Sequence, residues 1–300
     1  MIGQAAFAEK TLDKLVSKGE EVLAVFCFPD APGGRIDPVK QRALQLGIPV
    51  HQHKTLKTPE VTEQFVSLKA DLAILAFVSQ IIPPPVFNAP RLGSICYHPS
   101  LLPKYRGRTA INWALISGET VTGLTIFWLD KGIDTGPILL QKEVQVDPND
   151  TTGTLYFNKL FPMGIEAISE AVDLIKAGNP PRIVQDESTA SYDPPCGDEH
   201  ARIDWSKPAQ EVYNLIRGCD PQPGAHTIYN GKMVRIFDAR LQKDTNSAAA
   251  GQVTGIGGED ITIALNGGTL AVKRMRGEGG KISAAEFVKQ VDLKFGDRLG

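Results

Sequence analysis

The chain has 300 residues, of which 42% are hydrophobic and 22% charged, and its formal net charge is -2 at pH 7. That length accommodates about two domains of roughly 100–200 residues, and the composition is typical of an ordinary soluble globular protein. A near-neutral chain is not expected to be a dedicated nucleic-acid-binding protein. Its four cysteines, at positions 27, 96, 196 and 219, form no Cys-x-x-Cys pair, so neither a zinc site nor a disulfide framework is predicted.

No apolar run approaches the roughly 18 residues that a membrane span requires. The start of the chain is too polar for a signal peptide. We therefore expect a cytoplasmic chain with no membrane partner and no metal.

Strand-type and helix-type segments alternate through the first two thirds of the sequence. The segment over residues 71–78 has no polar alternation, as expected for a strand that is covered on both faces. This alternation predicts an α/β fold with a doubly wound, mostly parallel sheet. The predicted strands cover 21–28, 48–51, 71–78, 94–98, 121–129 and 138–146, and the predicted helices cover 9–17, 38–46, 59–68, 109–117 and 151–177, the last interrupted at Pro162.

The composition changes over residues 178–199, which are rich in Pro, Ser, Asp and Gly and are typical of a linker. Beyond them an amphipathic helix (209–218) precedes short β-type runs, and Asn230-Gly231 is a hairpin signal. Short strands at this spacing predict a small open barrel. The predicted domains are 1–185 for the α/β domain, 186–202 for the linker and 203–300 for the β-barrel.

Polar residues follow two of the predicted strands. His98 ends the strand at 94–98, and Asp130 and Asp134 follow the strand at 121–129. The carboxyl ends of parallel strands share the edge where ligands bind, so we expect the histidine to meet a carboxylate there as an acid/base and its orienting partner. In the alternative interpretation His98 caps a strand and the aspartates hold turns. The residues alone leave both interpretations open.

The whole stretch is similar to a known family. His98-Pro99-Ser100-Leu101-Leu102-Pro103, Tyr105-Arg106-Gly107 and Gly132-Ile133-Asp134-Thr135-Gly136 resemble the folate-dependent formyltransferase superfamily. The resemblance is greater to the hydrolase domain of 10-formyltetrahydrofolate dehydrogenases than to methionyl-tRNA formyltransferases. It implies a Rossmann-like formyltransferase sheet followed by an OB-like barrel, with catalytic residues at the positions of His98 and Asp134. Relatives carry more apolar residues before the equivalent of Ile2, so a truncated first strand is expected.

Cys96 departs from the transferase pattern. The resemblance places an Asn there in the transferases, whose amide helps to hold the oxyanion, whereas the hydrolase domains lack that Asn. Positions 96 and 98 lie on the same face of a strand, and a thiol is a weak donor. Cys96 therefore favours the hydrolase branch. A nucleophilic Cys96 with His98 as its base is an alternative, and a buried, inert thiol is another.

The resemblance also implies two folate-binding loops. Gln80, Ile81 and Ile82 match the pterin-pocket loop and are expected to offer backbone donors and acceptors. The loop after the histidine, formed by Ser100, Leu101, Leu102 and Pro103, matches the folate-contacting segment. Arg106 is expected either to meet a glutamate tail or to remain solvated.

The resulting hypothesis is an enzyme that removes the formyl group of 10-formyltetrahydrofolate and hands it to water. One alternative is formyl transfer to an amine, such as methionyl-tRNA, a sugar amine or a small-molecule amine. Residues 201–300 carry 14 Lys or Arg and 11 Asp or Glu, a surplus too small to favour tRNA. The other alternative is a folate-binding protein without turnover.

Overall fold

A computed structural model of the protein describes residues 1–244 and 247–300. These residues divide into two compact units. The first contains residues 1–108, 122–144 and 157–192, and the second contains residues 109–121, 145–156 and 193–300. The division differs from the predicted domains, because two segments of the first 185 residues belong to the second unit and residues 186–192 belong to the first.

The first unit is built on a seven-stranded sheet with the strand order β3-β2-β1-β4-β5-β6-β7. Its strands are β1 (Ile2–Gly3), β2 (Val25–Cys27), β3 (Val50–Gln52), β4 (Ala73–Ala76), β5 (Ser94–His98), β6 (Val121–Trp128) and β7 (Ile138–Gln145). Its helices are α1 (Ala5–Ser17), α2 (Pro38–Gln45), α3 (Pro59–Ser67), α4 (Pro84–Phe87) and α7 (Phe161–Lys176); α5 (Ala110–Ile116) and α6 (Thr152–Leu155) lie in the second unit.

The sheet is parallel from β3 through β5, and the order of its strands changes direction between β1 and β4. Strand β6 runs antiparallel to β5, with Ile95 opposite Trp128 and His98 opposite Thr125. The predicted mostly parallel α/β sheet is therefore confirmed. The expectation that the carboxyl end of β6 shares an edge with His98 is wrong, because an antiparallel neighbour ends at the opposite edge.

Helices cover both faces of this sheet, as the apolar strands predict. Phe7 and Leu12 of α1 and Ala167 of α7 belong to one buried core. Val61 and Phe65 of α3 belong to the core of the other face. Strand residues alternate between the two cores: Ile95 and Tyr97 lie in the first and Cys96 packs against the second. The side chains of positions 96 and 98 accordingly share the face that carries α3.

The predicted helix over 151–177 is interrupted earlier than Pro162. A capping box at Thr151 starts α6, a π-helical turn occupies Tyr156–Leu160, and α7 follows with Pro162 in its first turn. Proline has no N–H to continue the preceding helical hydrogen-bond ladder, but the first turn of a helix needs none.

The second unit contains an antiparallel sheet with the strand order β10-β11-β12-β9-β8, and β13 pairs with β12. Helix α8 contributes Val212 and Ile216 to its core, and α9 contributes Phe287. Within the described residues, no helix is both long and apolar enough to cross a bilayer. The bounds are α8 (Ala209–Gly218), β8 (His226–Tyr229), β9 (Lys232–Gln242), β10 (Val253–Gly257), β11 (Asp260–Leu265), β12 (Gly268–Arg276), β13 (Ile282–Ser283) and α9 (Ala284–Val291).

Gly123 in β6 is a position where the fold tolerates no side chain. A Cβ atom there would lie 2.1 Å from the carbonyl O of Lys142 and 2.6 Å from Cδ2 of Leu101. We expect Gly123→Ala to destabilise the protein by about 1–3 kcal/mol, because the clash involves backbone that cannot yield. The measurement is the midpoint of thermal unfolding, with Gly257→Ala as the matched control, since nothing lies within 4 Å of its Cβ position. Equal midpoints for the two variants would contradict the expectation.

Candidate active site

His98 ends β5 on the face of the sheet that carries α3, and it is only 5% exposed. Its Nε2 lies 2.8 Å from the carbonyl O of Tyr105. A carbonyl oxygen only accepts hydrogen bonds, so Nε2 carries a proton and donates it. The other ring nitrogen, Nδ1, faces Oδ2 of Asp134 at 3.6 Å. That separation is too long for a direct hydrogen bond, but it leaves the carboxylate charge beside the ring.

Asp134 reaches this position through the loop that follows β6. Since β6 ends beside the start of β5, the loop must return across the sheet to bring Asp134 to His98. Oδ2 of Asp134 accepts a hydrogen bond of 2.8 Å from the backbone N–H of Gly107. Asp134 itself is in the left-handed region, with φ at 56°. The structure thus brings the predicted pair together by a route that the sequence did not indicate.

Asp130 has a different position in the same loop. Its Oδ1 accepts hydrogen bonds from the N–H of Gly132 at 2.9 Å and from Oγ1 of Thr135 at 2.7 Å. Both contacts are local and order the turn. The choice of Asp134 over Asp130 as the partner of His98 agrees with this geometry.

Cys96 lies two residues before His98 and is half-buried. Its thiol donates to the carbonyl O of its neighbour Tyr97 at 3.5 Å. Burial raises the pKa of the Cys96 thiol far above its ordinary value, and the charge of Asp134 raises that pKa further. The group is therefore a neutral thiol at physiological pH, and strand alternation places it on the same face of β5 as His98.

The loop after His98 is fixed to the sheet by hydrogen bonds. Oγ1 of Thr125 donates to the carbonyl O of Ser100 at 2.7 Å and accepts from the N–H of Leu102 at 3.1 Å. The side chains of Ser100 and Leu102 are buried, and Leu101 and Pro103 are half-buried. Ser100 and Leu102 can therefore contribute to a ligand site only indirectly, by fixing the conformation of the loop backbone. Leu101 and Pro103 retain some exposed surface.

The second predicted binding loop differs from residue to residue. The side chain of Gln80 holds a neighbouring loop, since it accepts from the N–H of Leu56 at 3.3 Å and donates to the carbonyl O of Lys54 at 2.7 Å. Ile82 is part of the core, and Ile81 is 59% exposed. Within the residues that the structure describes, the backbone groups of positions 80–82 have no hydrogen-bond partner. Their binding of a flat heterocycle stays a prediction.

A cavity lies at the carboxyl ends of β1, β2 and β4, next to this loop. It encloses about 290 Å³ of space, part of it open to solvent. No charged Lys, Arg, Asp or Glu side chain lines it. The lining residues are Ile2, Gly3, Gln4, Phe26, Cys27, Phe28, His53, Leu56, Phe77, Val78 and Gln80.

Arg106 neither meets solvent nor points out to receive a ligand, contrary to both sequence expectations. It is 7% exposed, and its guanidinium donates to Oε1 of Gln185 at 2.8 and 3.2 Å and to the carboxylate of Glu187 at 2.6 and 2.9 Å. Sequence reasoning missed Gln185 and Glu187, because they lie about 80 positions away in a stretch with linker composition. No local pattern in the sequence signals such a pairing.

Among residues 1–244 and 247–300, no cluster of three or more His, Cys, Asp or Glu side chains could hold a metal ion. The candidate site is therefore a histidine, a carboxylate and a thiol beside two ordered loops.

The family of the chain follows from comparison with known proteins. Residues 1–172 match the formyl transferase profile, and residues 197–291 match the profile of the formyl transferase C-terminal domain. The chain belongs to the formyltransferase family. The members of this family to which it is similar are enzymes by name, and this chain is an enzyme of the same family.

Two curated relatives illustrate the range of the family. The cytosolic 10-formyltetrahydrofolate dehydrogenase of Xenopus laevis is 40% identical over 97% of this chain, and the match covers 34% of that protein. The methionyl-tRNA formyltransferase of Geotalea uraniireducens is 38% identical, and the match covers 100% of this chain and 96% of that protein. The chain thus spans about a third of the length of the dehydrogenases.

Two solved structures share the fold. HypX from Aquifex aeolicus, in complex with tetrahydrofolic acid, has a TM-score of 0.72 at 19% identity over 98% of this chain and 47% of that one. An N-formyltransferase from Helicobacter canadensis, in complex with folinic acid and dTDP-3-aminofucose, has a TM-score of 0.70 at 20% identity over 90% of this chain and 97% of that one. At these identities the likeness establishes the fold alone.

The raised pKa of Cys96 predicts slow alkylation. At a given pH a higher pKa leaves less thiolate, so at pH 8 iodoacetamide should modify Cys96 more than about tenfold more slowly than it modifies glutathione. The rate should still be rising above pH 9. Mass spectrometry of peptides from the native protein measures the rate, and the urea-unfolded protein, in which all four cysteines should react, is the control. Labelling of native Cys96 at the rate of glutathione would contradict the assigned protonation state.

Proposed function

We propose that this enzyme hydrolyses 10-formyltetrahydrofolate to tetrahydrofolate and formate, with His98 as the acid/base and Asp134 as its carboxylate partner. The observation that carries the proposal is the arrangement of His98: Nε2 is held by a carbonyl, and Nδ1 is left facing Asp134 at 3.6 Å. A relative at 40% identity is a 10-formyltetrahydrofolate dehydrogenase by name, and one at 38% is a methionyl-tRNA formyltransferase, which supports the substrate class.

The proposed reaction balances with water as the only co-reactant. Nδ1 of His98 takes a proton from water as the water oxygen attacks the formyl carbon. The imidazolium that forms is stabilised by the adjacent carboxylate of Asp134. As the bond between the formyl carbon and N10 breaks, the proton is delivered to N10, giving tetrahydrofolate and formic acid, which ionises to formate. A base positioned in this way typically contributes about 10²–10⁴-fold to the rate.

The folate is proposed to lie against the two loops that the resemblance implies. Unpaired backbone groups at 80–82 suit the donors and acceptors of a pterin edge. Exposed Ile81 offers an apolar surface for the ring. The loop at 100–103 would contribute through Leu101 and Pro103, because the side chains of Ser100 and Leu102 are buried.

Cys96 supports hydrolysis over transfer. The transferases that this chain resembles have an amide at the matched position, and loss of an oxyanion donor typically costs about 10²–10³-fold in rate. A neutral thiol that already donates to the carbonyl of Tyr97 is a poor substitute. It is also a poor nucleophile, because the raised pKa keeps it protonated.

Formyl transfer to an amine is the second candidate. The match to a methionyl-tRNA formyltransferase covers 96% of that protein, whereas the match to the dehydrogenases covers only about a third of them. The acceptor would be methionyl-tRNA, a sugar amine or a small-molecule amine.

The deciding experiment incubates the purified protein with 10-formyltetrahydrofolate and follows tetrahydrofolate and formate. We expect formate release without an acceptor, and a loss of about 10²–10⁴-fold in His98→Ala while the variant stays folded. Parallel reactions contain methionyl-tRNA or an amino-sugar nucleotide. Turnover that requires either acceptor would favour the transferase, and binding of the folate without any turnover would overturn both candidates.

Two variants at position 96 test its role. Cys96→Ala should keep hydrolysis within about threefold of the parent, because the thiol takes no part in the reaction. Cys96→Asn restores the amide, and we expect it to increase the ratio of amine formylation to hydrolysis by about tenfold or more. The ratio is measured from formylated acceptor and free formate in one reaction. Loss of all turnover in Cys96→Ala would instead support a nucleophilic thiol.

A further inference from the structure

We propose that Gln185 is a positioning residue for the reaction. Its buried amide, together with Arg106, holds the carboxylate of Asp134 beside the ring of His98. This inference rests on the proposed function, because the pair that it positions is the proposed acid/base and its partner. Neither residue touches the reacting atoms in this assignment. They act by joining the loop of Tyr105 and Gly107, whose backbone groups contact the pair, to the loop that carries Asp134.

The amide of Gln185 makes every hydrogen bond available to it. Nε2 donates to the carbonyl O of Asp134 at 2.9 Å and to the carbonyl O of Gly136 at 2.7 Å. Oε1 accepts from Nε and Nη2 of Arg106 at 3.2 and 2.8 Å. Gln185 is 5% exposed, and in a buried site each of these groups would be costly to leave unpaired. The amide therefore fixes the backbone on both sides of Thr135.

Arg106 lies between the two backbone groups that contact the pair. The residue before it, Tyr105, supplies the carbonyl that accepts from Nε2 of His98. The residue after it, Gly107, supplies the N–H that donates to Oδ2 of Asp134. A displacement of Arg106 would thus move the partners of both His98 and Asp134. Through Gln185 the same guanidinium is tied to the loop on which Asp134 sits.

Both loops hold a strained residue that needs such support. Tyr105 and Asp134 have φ values of 58° and 56°. These values lie in the left-handed region of the backbone, which residues other than glycine rarely adopt. Residues in sparsely populated backbone regions cost about 1–3 kcal/mol each and persist only where the surroundings determine them. Gln185 and Arg106 are the buried side chains that link these two residues.

The backbone that carries Gln185 is itself anchored on both sides. Ile183 exchanges hydrogen bonds with Ile138 of β7 at 2.7 and 2.9 Å. Ser191 donates from its N–H to the carbonyl O of Pro103 at 3.1 Å and accepts at its carbonyl O from the N–H of Arg106 at 3.0 Å. Its Oγ also accepts from the N–H of Tyr105 at 2.7 Å. Residues 183–192 are therefore anchored to the rest of the first unit by these hydrogen bonds, despite their linker-like composition.

Glu187 provides a matched control within the same network. Its side chain is 68% exposed, although it pairs with the guanidinium of Arg106. The carboxylate of Glu187 is the solvent-exposed side of this pair, and Gln in its place keeps an oxygen that can accept from the guanidinium, so loss of this screened charge should matter little. Glu187→Gln should therefore leave kcat within about twofold of the parent. A substitution of the buried Gln185 should instead lower kcat by much more.

The test uses Gln185→Glu, which keeps the size of the side chain and an acceptor for Arg106 but places oxygen against the carbonyls of Asp134 and Gly136. We expect kcat for formate release to fall about 10²-fold, the effect of a misplacement of about 1 Å, with KM changed by less than about threefold. Arg106→Lys keeps the charge but loses the planar guanidinium group that makes two parallel hydrogen bonds. It should likewise lower kcat and leave KM nearly unchanged. It serves as the second variant if Gln185→Glu does not fold.

A readout independent of turnover separates this inference from the proposed function. NMR of protein labelled with ¹⁵N-histidine, assigned with His98→Ala, reports the protons on both ring nitrogens of His98. We expect Gln185→Glu to shift these signals and Glu187→Gln to leave them in place. Absence of formate release in the parent would overturn the function, while shifted His98 signals would still support the positioning role. Unmoved signals with full kcat in both Gln185→Glu and Arg106→Lys would overturn the positioning role itself.

Discussion

The hydrogen bond from the N–H of Gly107 to the carboxylate of Asp134 is the contact on which the candidate site depends. It lies at 2.8 Å, and a hydrogen bond to a charged group contributes about 1.5–3 kcal/mol. Holding Asp134 in the left-handed region costs about 1–3 kcal/mol. The two free energies nearly cancel, so this hydrogen bond alone provides little net stabilisation of the position of the carboxylate beside His98. Further contacts to the loop of Asp134 are therefore needed, and the buried amide of Gln185 makes two of them.

The carbonyl of Tyr105 has an equally direct chemical consequence. Because this carbonyl accepts a hydrogen bond from Nε2 of His98, the proton of the neutral ring lies on Nε2. Nδ1 is then the nitrogen that can take up a second proton. That nitrogen is the one beside the carboxylate, where the positive charge formed in the proposed reaction would be stabilised. In the proposed reaction, the loop of Tyr105, Arg106 and Gly107 would thus determine both which ring nitrogen acts as the base and where its counter-charge lies.

The sequence predicted the elements of the first unit well because buried strands and amphipathic helices have distinct apolar periods. It also placed His98, Cys96 and Asp134 together, through the resemblance of their motifs. It could not give the direction of β6, since an apolar run of this kind reads the same in parallel and antiparallel neighbours. The partnership of Arg106 with Gln185 was also inaccessible, because a pairing across about 80 residues is fixed by the fold and leaves no local pattern. For the same reason, the linker-like composition of residues 178–199 did not indicate the contacts that residues 183–192 make.

The choice between water and an amine as the formyl acceptor depends on local chemistry more than on the length of the matches. The dehydrogenase match covers nearly the whole of this chain, just as the transferase match does, so both kinds of relative contain a region equivalent to it. Where the resemblance separates the two branches is position 96, next to the proposed base. There a thiol of raised pKa, bonded to the neighbouring carbonyl, offers the formyl oxygen no strong donor. The thiol at position 96, beside His98 and Asp134, is therefore the local feature that supports the proposal of water as the formyl acceptor.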